Sequence, residues 1–111
     1  MPHELLLLRP FPFADGRFPP DLGAIAHWTV ARCERPALEV YHDHDNYWLV
    51  LDGVTDPLAP DSTIVDALTH LSADDPTLAG LATLPPGHVA TRRHPTDPWR
   101  IAEMEPEDDP A

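Results

Sequence analysis

There is no lysine in these 111 residues. The seven bases are all arginine, against 19 Asp and Glu, and the formal charge is −12. So few cations cannot neutralise a phosphate backbone, which argues against DNA or RNA binding. An anionic membrane surface would repel such a chain. Cysteine is nearly absent: Cys33 stands alone, so no internal disulfide can form. A lone thiol fits the reducing cytoplasm, and its expected place is inside, as a small buried hydrophobe. Glycine is scarce too, with five residues and no two within six positions of each other, so no Gly-rich phosphate loop exists. The one long apolar run is Leu5-Leu6-Leu7-Leu8. It falls far short of the ~20 residues that cross a bilayer. His3 and Glu4 precede it and Arg9-Pro10 ends it, so no export signal is read.

What the chain has in excess is proline, 15 of 111 residues, about three times the usual ~5%. Proline at that density stops helices and strands early, so the elements should be short. In residues 1–21, Phe11, Phe13 and Phe18 alternate with Pro10, Pro12, Pro19 and Pro20. The pattern predicts an extended arm whose aromatics dock on the domain, because a disordered tail would rarely carry three Phe and four Leu. Residues 22–102 form the predicted single domain. Residues 103–111 hold five acids and two prolines and read as a solvated tail.

Inside the domain, residues 22–30 read as a strand running into a turn. Residues 37–41 alternate apolar and polar with period two, as a half-buried strand does. Residues 47–51 form a second run, and the polar link His42-Asp43-His44-Asp45-Asn46 between them predicts a β-hairpin. Ile64, Val65, Leu68 and Leu71 follow helical spacing, so a main helix is expected over 62–72, capped by Asp61 or Ser62. Asp75 before Pro76 predicts a second, short helix with Leu78, Leu81 and Leu84 inward. Residues 89–92 and 99–101 read as strands. The sum is an α+β fold: an antiparallel sheet of four to five short strands, with both helices on one face. The expected core is Leu38, Val40, Trp48, Val50, Leu68, Leu71, Leu81 and Val89.

No catalytic constellation stands out: there is no GxSxG and no HExxH. The reading is therefore non-enzymatic, with no cofactor. The one cluster with metal-ligand chemistry is His42-Asp43-His44-Asp45. On extended chain His42 and His44 share a face, but a closed zinc site needs four ligands, so His70, His88 or His94 would have to join. A metal-binding or metal-dependent domain built on His42 and His44 is one alternative. A structural or oligomerisation module is another. Trp28, Trp48 and Trp99 are either core or interface anchors.

Taken in order, Pro36-x-Leu38-x-Val40-x-His42-Asp43-x-Asp45-x-x-Trp48, then Gly53, His70-Leu71, Asp75-Pro76-x-Leu78, Leu84-Pro85-Pro86-Gly87, Ala90-x-Arg92 and Pro98-Trp99 form a pattern over residues 22–102. It resembles small acidic bacterial proteins of the immunity-protein family thirty-three fold, linked to polymorphic toxins. Those sequences continue with Gln-Phe after the Trp, where this chain has Leu49-Val50. The resemblance implies a non-enzymatic binder, and the leading expectation is an immunity-type inhibitor that masks a toxin. Charge complementarity implies that such a partner is basic. The expected contact is the hairpin tip and the neighbouring acidic loop: Asp43, Asp45, Tyr47, Asp52 and Asp56.

Overall fold

The structure, a computed structural model, describes residues 5–56 and 58–104. Among the described residues six strands form one sheet: β1 (Gly23–His27), β2 (Glu39–His42), β3 (Trp48–Leu51), β4 (Thr63–Ala67), β5 (His88–Thr91) and β6 (Arg100–Glu103). Their spatial order is β4-β1-β3-β2-β5-β6. Four of the pairings are antiparallel, and β1 runs parallel to β3. The α+β class is as expected from the sequence, with six strands where four or five were read.

The hairpin forms where the alternation placed it. Val40 faces Val50 and His42 faces Trp48, with the turn between. Residues 63–67 depart from expectation. They are edge strand β4, paired along their whole length with β1, and helix α2 (Leu68–Asp74) starts only after them. Thr63, Ile64 and Val65 are β-branched, stiff at χ1 and suited to a pleated edge. The helical spacing mixed two elements: Leu68 and Leu71 are buried, whereas Ile64 and Val65 are exposed. Asp61 caps no helix; it turns the chain with φ of 59°. The second helix is 3-10 in geometry (Pro76–Thr83), capped by the Asp75 side chain on the Thr77 amide, with Leu78 and Leu81 buried.

The chain from β4 through α2 and the 3-10 helix crosses one face of the sheet to reach β5. The leucines of that crossing meet Ala24, Ala26, Val40, Trp48, Val50 and Ala90 to make the core. Helix α1 (Trp28–Ala31) adds Val30. The arm docks on the same face. Phe13 and Phe18 are core residues, and the Phe18 ring meets Trp48 edge-on at 5.1 Å. Leu6 bridges to Leu22 in parallel fashion. Of the tail expected over 103–111, Glu103 belongs to β6 and the Met104 amide bonds Gly87 O, while 105–111 lie outside the described residues.

Two expected core residues, Leu38 and Val89, are only half-buried. Leu38 leans over Gly53 just ahead of β2, and Val89 points to the sheet face that carries no helix. Cys33 is corrected outright: its side chain is exposed. Helix α1 is too short to bury it, and the residue sits in the following turn with φ of 60°.

Candidate partner-binding surface

The hairpin turn is built by its own side chains. Asp43 Oδ1 accepts the amides of Asp45 and Tyr47, each at 2.9 Å. Asn46 adopts φ of 71°, a left-handed conformation that its short side chain tolerates. Its amide nitrogen donates to Arg9 O at 2.7 Å, which aims Asn46 Oδ1 at His42 Nε2, 2.6 Å away. The other His42 nitrogen, Nδ1, lies 2.6 Å from Leu84 O. Both ring nitrogens thus face protein oxygens. The ring is buried, stacked on Trp48 at 3.9 Å and met edge-on by Phe11. His42 thus ties the arm, the hairpin and the end of the 3-10 helix together.

This geometry bears on the metal alternative. Each His42 nitrogen already lies 2.6 Å from a protein oxygen, which leaves a cation no open approach to the ring nitrogens. His44 is exposed and lies across Gly87, where a Cβ would come within 2.7 Å of its ring. His70 stands between Asp66 and Asp74, 2.8 Å from the former. Among the described residues no group of three or more His, Cys, Asp or Glu is placed to hold a metal ion.

The five expected contact residues do not form one patch. Asp45 is exposed at the tip, with Asp43 and Tyr47 half-buried beside it. Asp52 and Asp56 follow the opposite end of β3. At ~3.3 Å per residue, the four residues of that strand separate the two groups by roughly 15 Å. Asp56 is exposed and accepts the Leu58 amide at 2.9 Å. Asp52 is 1% exposed and cannot touch a partner. Its carboxylate takes the hydroxyls of Thr29 at 2.7 Å and Thr55 at 2.6 Å, and the amides of Val54 and Thr55. Burial works to raise this carboxyl, but the donors from Thr55, Thr29 and Val54 outweigh it and hold it well below the usual carboxylate range. The Asp52 amide also donates to His27 Nδ1 at 2.9 Å. Asp52 therefore anchors the 52–62 loop to β1 and α1. An Asp-Gly pair reads as a turn, and nothing local announces that Thr29 will arrive from 23 residues away.

Between the two acidic ends lies the feature that sequence reading missed. Strand register places Val65, Ile25, Leu49, Tyr41, Val89 and Ala102 in one row across all six strands. The row points away from the helices. None of its members belongs to the core cluster, and each is half-buried or exposed. Glu39 shares β2 and its face with Tyr41, and Asp43 follows the strand at the start of the turn. Burial first, and then Glu39 beside it, push the Tyr41 phenol above its ordinary value.

The other polar node is structural. Arg92 is buried and donates to Ala37 O, Thr77 Oγ1, Pro95 O and Asp75. Its guanidinium lies 4.0 Å from the Trp99 ring centroid. Trp48 is core, and Trp28 is half-exposed under Arg32. No helix among the described residues is long and apolar enough to cross a membrane. Comparison with protein families, with curated proteins and with solved structures finds no match for this chain.

Proposed function

We propose that the chain is a non-enzymatic protein-binding domain of the immunity type, acting in the cytoplasm to mask a basic toxin. The observation that carries this reading is charge: −12 on 111 residues, with acids at both ends of the hairpin. Asp45 stands on a turn locked by Asp43 and Asn46, so it is presented without an ordering cost at contact. Asp56 is held in a turn at the other end. Acids fixed in this way steer a cationic partner and speed its encounter. The fold-family resemblance over residues 22–102 points the same way.

The test is to mix the purified chain with the product of the gene adjacent to its own. A complex with a basic protein, weakened by added salt and by Asp45→Lys with Asp56→Lys, supports the reading. Asp43 is left intact because its carboxylate builds the turn. A neighbouring product that is acidic, or a complex indifferent to salt, contradicts it.

A further inference from the structure

We propose that the helix-free face of the sheet is the docking surface, and that its occupant is a protein segment with an apolar centre and arginine or lysine at its margins. The proposal rests on the basic-partner reading above and assigns it a place.

Three observations support it. First, the row Val65, Ile25, Leu49, Tyr41, Val89 and Ala102 runs unbroken through the strand register from one edge of the sheet to the other. Val65 is 48% exposed at one end of that row. A contiguous apolar stripe of that kind is the usual mark of an interaction site. Second, the opposite face is already filled. Phe13 and Phe18 of the arm, both α-helices and the 3-10 helix contribute to the core on that side, whereas on this face Leu5 of the arm reaches only the Gly23 and Val65 end of the row. Third, the stripe is bordered along the strands by carboxylates. Glu39 lies beside Tyr41 on β2, Asp43 opens the turn at the other end of the strand, and exposed Asp45 and Asp56 lie beyond the strand ends. Arg100, which shares the Ala102 side of β6, lies at the far edge of this face.

That border selects the occupant. A second copy of the chain would bring carboxylates against carboxylates, and like charges juxtaposed at an interface oppose association. A segment with cations at its margins relieves the same repulsion. Tyr41 and Tyr47 lie at the centre and on the tip side of the face, and tyrosine is a favoured anchor where contact must be both apolar and hydrogen-bonded.

The experiment uses the full chain, labelled with 15N, and three synthetic ten-residue peptides: alternating Arg-Leu, alternating Glu-Leu and alternating Arg-Ser. The expected result is saturable shifts of the amides of residues 25, 41, 49, 65 and 89 with Arg-Leu, and affinities at least about tenfold weaker for the other two. Leu49→Thr with Val89→Thr keeps β-forming side chains but removes apolar area. It should weaken Arg-Leu binding by about tenfold with an unchanged circular dichroism spectrum. If that double variant loses its fold, Val65→Thr on the exposed edge strand replaces it. Shifts confined to the 43–47 tip, or to the helical side, overturn the assigned face and leave the basic-partner reading standing. Equal binding of Glu-Leu overturns both. Concentration-dependent shifts of the same residues without peptide identify a second copy as the occupant and overturn the proposal. Absence of saturable binding by any peptide overturns it as well.

Discussion

Several side chains are occupied in ways that their neighbours in sequence do not foretell. Cys33 is one. It is exposed, but Asp74 accepts its proton and repels its thiolate, and this, with some desolvation, pushes the thiol up. Thiolate is the reactive form, so Cys33 should react with a disulfide reagent more slowly than free cysteine at neutral pH. Asp74→Asn should accelerate it; an unchanged rate would remove Asp74 from the account. Asp75 is a second case. Burial would raise its carboxyl, but Thr77 and Arg92 together hold it below the usual range. A depressed carboxyl contributes stability above its unfolded pKa and loses it as the pH falls through the folded value. Asp52 and Asp75 should therefore make the protein acid-sensitive below about pH 4, and Asp75→Asn should flatten that limb of a denaturation profile. Arg92→Met strands Asp75 and frees Ala37 O and Pro95 O. Removing one member of a buried pair costs about 3 kcal/mol, at the low end of the usual range because Asp75 is partly solvated. A urea midpoint unchanged in that variant would contradict the role given to Arg92.

At the scale of the element, legibility followed the period of the pattern. The β2–β3 hairpin was readable because Leu38 to Tyr41 alternate, Asp and Asn crowd the link, and the aromatic run resumes at Tyr47. The 3-10 helix was readable at its start because Asp75-Pro76 carries a cap and a preset φ. Residues 63–67 were not readable. Ile64 and Val65 happen to fall at helical spacing from Leu68, and their partner strand lies some forty residues upstream, beyond any local pattern. The two readings separate by mutation. A helix over 62–72 would bury Ile64 with Leu68, whereas the structure buries Leu68 alone. Leu68→Ala should cost about 3 kcal/mol, and Ile64→Ala less than about 1 kcal/mol, as read from urea denaturation. Equal costs would restore the helix. The stripe was half legible: the alternation of β2 implied that Tyr41 points away from Val40, but only the register of six strands shows which residues line up with it.

For the whole molecule, the arrangement is asymmetric. Among the described residues, one face of the sheet carries the helices and the aromatic rings of the arm, and the row on the other face is half-buried to exposed. The arm is part of the core, so Phe13→Ala or Phe18→Ala should cost about 3 kcal/mol or more, which a thermal melt would register. On the proposed reading, it is the second face that takes the partner. On that reading charge selects the partner, since the domain carries −12, with exposed Asp45 at the hairpin tip and exposed Asp56 in the loop beyond the other end of β3. The most direct measurement is the association rate with a basic partner at low and high salt, for the native chain and for Asp45→Lys with Asp56→Lys. Between about 50 and 500 mM salt the native rate should fall by at least about tenfold, while the charge-reversed chain should start lower and change little. A rate that ignores salt, or that survives the reversal of both acids, would contradict the account.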